Sequence, residues 1–247
     1  MTASSASAPV LVADIGGTNA RFGLLERGTA RLHAVQVLAA AEYPQLDHAV
    51  TAYLRGVPAA PRAAAFAVAA PLAPDLYRFT NSPWQFSRSR LREQLGFDRL
   101  EVLNDFEALA LALPWLGDAQ LHTLRARRGD ASAPRVVLGP GTGLGVAALV
   151  DVGGAAGSRW RALPGEGGHV GFAPQGADES ALLEYLASRH GRVSCERVLC
   201  GDGLAAIDEF LAARSGAAGP VRTAAAITAA ALAGTDARAA AAVQLFC

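Results

Sequence analysis

Two segments of this chain repeat one pattern: an apolar run, a turn rich in glycine, and a second apolar run. The first segment begins at Val10 and turns at Gly16 and Gly17, and the second begins at Arg135 and turns at residues 139–145. Each segment is typical of a buried strand, a turn and a returning strand. The repetition predicts a duplicated α/β fold, in which two similar halves enclose a cleft.

The remaining pattern predicts two domains. Pro114 and the polar stretch 125–134 interrupt the apolar periodicity, so we predict a disordered tail at 1–9, a small α/β domain at 10–113 and a larger α/β domain at 114–247. Apolar runs predict further strands at 32–38, 63–70, 76–80 and 100–103. Helical spacing predicts helices at 44–54, 106–113, 177–190 and 204–214, followed by an alanine-rich helix pair.

Composition excludes several classes of function. The formal net charge of the 247 residues is zero, so no charge excess indicates a nucleic-acid or membrane partner. All 22 basic residues are arginine, which excludes lysine-based covalent and Walker-type chemistry. No signal peptide or membrane-spanning run is recognisable, so we expect a cytoplasmic protein. The three cysteines lack a C-x-x-C pair, which argues against disulfides or a zinc site.

The first glycine turn follows an acidic residue at the end of a strand. The glycines Gly16 and Gly17 let backbone N–H groups approach an anion, and Thr18 and Asn19 add side-chain donors. Asp14 could hold the water shell of Mg²⁺, which takes few direct carboxylates. A plain hairpin turn fits the same residue types equally well.

The second glycine turn has the same character. Gly141, Thr142 and Gly143 lie between two predicted strands, where close approach to a phosphate is again feasible. Alone this segment could be a simple hairpin. One such turn opening each half favours a split phosphate site across a cleft.

Asn104 and Asp105 follow an apolar strand of the first half. Ligands of open α/β sheets bind beyond the carboxyl ends of the strands, and an aspartate there can accept the proton of a substrate hydroxyl during phosphoryl transfer. The structural alternative, in which Asp105 caps the following helix, is strong.

Two further polar segments could contact a small ligand. Glu166 and His169 lie among glycines, where a sugar could find hydrogen-bonding partners, although a turn with a satisfied histidine is the simpler interpretation. One Glu and one His are too few for a metal site. Glu196 falls in the first turn of a short predicted helix, where its charge complements the helix dipole, and residue types alone favour that structural role.

Together these motifs resemble the signatures of the bacterial glucokinase family, in order and approximate spacing. The resemblance covers residues 11–247 and is carried by LVADIGGTNARFGL, LEVLNDFEALALALP, GPGTGLGVA, LPGEGGHVGFAP and SCERVLCGDGL. The cysteine-rich motif of the zinc-containing branch of bacterial sugar kinases is absent, so the sequence is similar to the zinc-free branch.

The resemblance implies two ribonuclease-H-like (actin-like ATPase) domains that close on sugar and ATP. It implies a kinase that transfers the γ-phosphoryl group of ATP, with Mg²⁺, to the 6-hydroxyl of glucose, the step by which glucose enters glycolysis. A homodimer is compatible with it. By position Asp105 matches the catalytic base. The matching sugar ligands are Asn104, Glu166, His169 and Glu196. The first phosphate motif matches Asp14, Gly16, Gly17 and Thr18, beside Asn19. The second phosphate motif matches Gly141, Thr142 and Gly143.

The chain departs from the family pattern after Cys247. The family continues with further strands of the second domain, an adenosine motif and a helix that returns to the first domain, for which we find no equivalent. We therefore expect an incomplete second domain. The alternative function is a truncated, non-catalytic sugar kinase that binds glucose without turnover.

Overall fold

The structure is a computed structural model, and it describes residues 8–29, 31–70, 73–79, 82–125, 129–130, 132–154, 159–217 and 220–247. Residues 1–7 of the predicted tail lie outside this part of the chain. The chain divides into two compact units, Met1–Gln120 and Leu121–Cys247. Among the described helices, none has the length and hydropathy needed to cross a membrane.

The first unit, as far as it is described, contains seven strands and three α-helices. In chain order they are β1 (Val10–Ile15), β2 (Asn19–Leu25), β3 (Leu32–Ala39), α1 (Leu46–Arg55), β4 (Ala63–Val68), β5 (Leu76–Arg78), β6 (Gln85–Ser87), α2 (Arg88–Gln94), β7 (Arg99–Asn104) and α3 (Asp105–Ala112). Five of the strands form one sheet in the order β3-β2-β1-β4-β7, and β5 pairs with β6. The predicted strands and helices are confirmed within a few residues.

Strand directions in the first sheet place three carboxyl ends at one edge. The strand β1 is antiparallel to β2 and parallel to β4, and β4 is parallel to β7. The register aligns Ile15 with Val68 and Val68 with Asn104. The turn after β1 and the start of α3 therefore lie at the same edge, separated by β4.

Alternating apolar side chains fix the register of this sheet against its core. Leu11 and Ile15 of β1 and Phe66 of β4 are fully buried, as are Tyr53 of α1 and Trp84. A shift by one residue would turn these side chains to the opposite face, so burial specifies the positions of the strand ends.

The second unit contains three strands and five α-helices among its described residues. They are β8 (Arg135–Pro140), β9 (Leu144–Asp151), β10 (Trp160–Gly165), α4 (Ala177–His190), α5 (Cys195–Val198), α6 (Gly201–Arg214), α7 (Ala224–Leu232) and α8 (Ala237–Phe246). The strands form an antiparallel sheet in the order β10-β9-β8. This order repeats that of β3-β2-β1, so the predicted duplication of the strand–turn–strand unit is confirmed.

The sheet of the second unit has one buried and one exposed apolar face. Ala147, Leu149 and Ala162 are buried, whereas Val136 and Leu138 of β8 are more than 60% exposed. Strand β10 was not predicted from the sequence. It contains Pro164, which is tolerated because β10 lies at an edge of the sheet.

A buried ion-pair network joins the helices of the second unit. Asp208 of α6 is 2% exposed and accepts hydrogen bonds from Arg222 Nε at 2.9 Å and from Arg238 Nε at 3.0 Å. Arg222 also bonds Asp236, which caps the N-terminus of α8 through the N–H of Ala239. The network therefore ties α6 to the segment before α7 and to the first turn of α8.

Candidate active site

The first glycine turn joins β1 to β2 and leaves two adjacent backbone donors available. The N–H of Gly16 donates to the carbonyl of Asn19 at 2.9 Å. Within the described part of the chain, the N–H groups of Gly17 and Thr18 donate to no protein acceptor. Two neighbouring free amides in a turn are typical of backbone segments that can bind an anion.

Asp14, at the end of β1, has a partner that the sequence analysis missed. Its carboxylate accepts a hydrogen bond from Arg21 Nη1 at 2.9 Å, and both side chains are 54% exposed. The pairing arises because Asp14 and Arg21 are direct neighbours across the β1–β2 ladder. The charge of Asp14 is therefore partly balanced by Arg21.

Asn104 and Asp105 have different roles at the start of α3. The side-chain oxygen of Asn104 caps the helix by accepting from the N–H groups of Phe106 and Glu107, and Glu107 returns a capping-box bond to the Asn104 N–H. Asn104 is thus the N-cap, and Asp105 is the first residue of the helix. Neighbouring strands lie about 4.8 Å apart, so Asn104 lies roughly 10 Å from Ile15 across β4.

The environment of Asp105 suits a proton acceptor. Burial raises the pKa of its carboxyl above the ordinary value of 3.8, the N–H of Phe106 works in the opposite direction, and the negative charge of Asp14 raises the pKa further. A carboxylate with a raised pKa is a stronger base than an exposed one.

The second glycine turn, between β8 and β9, repeats the free donors of the first. Gly141 N–H donates to the carbonyl of Gly143 at 2.7 Å. Among the described residues, the amides of Thr142 and Gly143 have no protein acceptor. Both turns therefore present two consecutive amides that could bind phosphate oxygens.

Three of the predicted sugar ligands converge within the second unit. Glu166 precedes a 3-10 helix, Gly167–His169, of which His169 is the last residue, and Glu196 lies in α5. The Nε2 atom of His169 is 3.5 Å from Glu196 Oε1 and 3.9 Å from Glu166 Oε2. The side chains of Glu166 and His169 are 82% and 61% exposed, so their polar atoms face solvent.

Close packing explains the glycines of this segment. A Cβ on Gly168 would lie 2.3 Å from the carbonyl oxygen of Leu144, and one on Gly167 would lie 2.9 Å from the Val146 side chain. These glycines let the 3-10 helix approach β9 and hold His169 beside Glu196.

The α5–α6 corner contacts the second glycine turn at two points. Glu196 Oε2 accepts a hydrogen bond from the N–H of Leu144 at 2.9 Å. The N–H of Gly201 donates to the carbonyl of Gly141 at 3.0 Å. No local sequence pattern indicates the Leu144–Glu196 contact, because 52 residues separate the two positions.

The predicted site residues fall into two sets, one in each unit. The first unit contains Asn19 and the first glycine turn, with Asp14, Asn104 and Asp105, and the second unit contains the second glycine turn and three sugar ligands. In the described residues we find no group of three or more His, Cys, Asp or Glu side chains that could hold a metal ion.

A separate groove of about 470 Å³ in the first unit lies between α1, the β5–β6 hairpin and α2. Its lining includes Asp47, Arg78 and Arg90, and none of the predicted site residues.

Comparison with known proteins identifies the family. The family model described as glucokinase matches residues 11–247, which include every predicted site residue. The chain belongs to the glucokinase family. It is 43% identical over 238 residues to a glucokinase of Marinobacter nauticus, covering 96% of this chain and 73% of the relative. It is 46% identical over 255 residues to a glucokinase of Ralstonia nicotianae, covering 97% of this chain and 73% of the relative.

Solved structures of the family share the fold. A glucokinase from an Antarctic psychrotroph matches with a TM-score of 0.83 at 36% identity, over 97% of this chain and 75% of that one. A Balamuthia mandrillaris glucokinase in complex with glucose matches with a TM-score of 0.71 at 22% identity, over 99% and 74% of the two chains. The predicted actin-like α/β fold of a glucokinase is thereby confirmed.

Proposed function

We propose that this chain transfers the γ-phosphoryl group of ATP to the 6-hydroxyl of glucose. The observation that carries the proposal is the glucokinase family match over residues 11–247. The local chemistry supports it, since each unit has a glycine turn with two free amides, and the remaining polar groups suit a sugar.

Asp105 acts as the general base in this proposal. Its carboxylate accepts the proton of the 6-hydroxyl while the bond between O6 and phosphorus forms and the bond from phosphorus to the ADP oxygen breaks. Partial burial and the raised pKa of Asp105 support this role. Asn104 uses its side-chain oxygen for the helix cap, which leaves its NH₂ group as the donor to a sugar hydroxyl.

Sugar and phosphate binding are assigned to the other predicted residues. Glu166, His169 and Glu196 provide acceptors and donors for sugar hydroxyls, and their mutual distances of 3.5 and 3.9 Å bring them within reach of one small ligand. The amides of the two glycine turns donate to the phosphate oxygens of ATP.

Mg²⁺ bound with ATP would neutralise charge on the transferred phosphoryl group. Asp14 is the carboxylate that fits this ion through water, because Mg²⁺ keeps most of its waters and needs few protein ligands. Arg21 already pairs with Asp14, so Asp14 would serve as an outer contact. A cytoplasmic location and a homodimer stay predictions.

Two measurements on the unchanged chain test the proposal. Isothermal titration with glucose and with ATP, in separate runs, measures binding, and a coupled assay measures glucose 6-phosphate. Binding of both ligands together with turnover would support the proposal. Glucose binding without ATP binding or turnover would favour the alternative, a sugar-binding protein without catalysis. Binding of neither ligand would refute both functions.

A further inference from the structure

The second glycine turn is attached to one of the proposed sugar ligands. The two carboxylate oxygens of Glu196 contact different partners. Oε1 lies 3.5 Å from Nε2 of His169, and Oε2 accepts the N–H of Leu144 at 2.9 Å. Leu144 is the residue that follows the turn and starts β9.

The space for this carboxylate exists because residue 143 has no side chain. A Cβ on Gly143 would lie 2.3 Å from Glu196 Oε2 and 3.1 Å from its carboxyl carbon. Real Cβ atoms are essentially never found as close as 2.3 Å to another heavy atom, so a side chain at this position would displace the carboxylate. At Gly141, in contrast, a Cβ would have no heavy atom within 4 Å.

A second contact fixes the other end of the same turn. The N–H of Gly201, at the start of α6, donates to the Gly141 carbonyl at 3.0 Å. Cys200 caps α6 and is buried, so the donor stands on a fixed helix end. The carboxylate of Glu196 and the amide of Gly201 therefore hold the turn from both sides, and they leave the amides of Thr142 and Gly143 free.

We propose that Glu196 is a positioning residue for the second glycine turn as well as a sugar ligand, and that Gly143 is glycine to admit its carboxylate. The proposal rests on the proposed function for the identity of the two ligands. A single carboxylate then links occupancy of the sugar site to the geometry of the phosphate-binding amides. Gly143 becomes a determinant of sugar affinity, although its position in the sequence assigns it to phosphate.

The sharpest test is a double-mutant cycle of Gly143→Ala and Glu196→Ala, with glucose affinity measured by titration calorimetry. Gly143→Ala should weaken glucose binding ~10- to 100-fold, the range for losing a hydrogen bond to a charged group. In the Glu196→Ala background the carboxylate is absent, so the added methyl group should cost less than threefold (about 0.65 kcal/mol). Gly171→Ala, two residues from His169 and with open space for its Cβ, is the matched control and should change little.

Amide hydrogen exchange of Leu144 gives a readout that needs no ligand. Exchange at Leu144 should accelerate about tenfold or more in Glu196→Ala and in Gly143→Ala, and Glu196→Gln should retain protection because its amide oxygen can still accept the bond. Full additivity in the cycle, or unchanged Leu144 exchange in Glu196→Ala, would overturn the inference. If the unchanged chain bound no glucose, the proposed function would be wrong, and Leu144 exchange would still test the positioning role of Glu196.

Discussion

Replacing Asp208 with alanine should destabilise the second unit far more than removing a surface carboxylate. Asp208 is 2% exposed, and the Arg222 and Arg238 side chains bonded to it are 19% and 25% exposed. Removal leaves two largely buried guanidinium groups without this acceptor. Breaking a buried ion pair from one side costs about 3–5 kcal/mol of the free energy of unfolding, a large share of the ~5–15 kcal/mol of a typical domain.

A surface ion pair in the same unit provides the control. Asp178 accepts a hydrogen bond from Arg214 Nη1 at 2.7 Å, but the two side chains are 70% and 49% exposed. Asp178→Ala should therefore cost about 0–1 kcal/mol. Asp208→Asn, which keeps an oxygen acceptor and loses the charge, should fall between the two.

Urea unfolding combined with native-state amide exchange in α6 and α8 measures these differences within the second unit. Exchange is needed because two units need not unfold in one transition. The reasoning would be refuted if Asp208→Ala cost no more than Asp178→Ala, since burial of the network would then contribute nothing to stability.

Three further predictions follow from the site and its surroundings. Glu166→Gln and His169→Ala should each weaken glucose binding roughly tenfold to a hundredfold, the range for a lost polar contact. Glu184→Gln, at an exposed position of α4, is the control. A rise in the KM for ATP alone would contradict the assignment of Glu166 and His169 to the sugar. Because the pKa of Asp105 is raised above its ordinary value of 3.8, kcat/KM should begin to fall on acidification while the pH is still above 3.8. A kcat/KM profile that stays flat down to about pH 4 would contradict this. The Ala239 N–H and the Arg222 guanidinium lower the pKa of Asp236 in the folded protein. The ionised carboxylate should therefore stabilise the fold at pH values above its unfolded pKa, and this stabilisation should be lost as the pH falls through the lower folded pKa. Acid unfolding of Asp236→Asn, compared with the unchanged chain, measures this contribution.

Local patterns predicted the parts of the fold in which neighbouring residues decide the structure. Apolar runs located β1 and β4, and helical spacing located α4 at its observed bounds. Strand β10 was missed because the segment with Pro164 lacks a local strand signal, and its ladder comes from pairing with β9.

Several site residues have roles that depend on contacts between segments distant in the sequence. The sequence alone does not reveal such contacts. The glycines around Glu166 and His169 were interpreted as a setting in which these two side chains could contact a sugar. The structure shows that Gly167 and Gly168 allow close packing on β9. Glu196 was assigned a helix-dipole role from its residue type, and its bond to Leu144 depends on tertiary structure. Asp105 was considered as a helix cap, and the structure gives that task to Asn104.

The central claim, that Asp105 is the base of a glucose-phosphorylating site, is tested most directly by Asp105→Asn. The amide keeps the shape and hydrogen bonding of the carboxyl but cannot accept the proton, so turnover should fall ~10²- to 10⁴-fold while glucose affinity changes little. Asp98→Asn, at the opposite end of β7 and in an exposed pair with Arg62, is the matched control and should retain turnover. Near-normal turnover in Asp105→Asn would contradict the claim, as would equal losses in both variants.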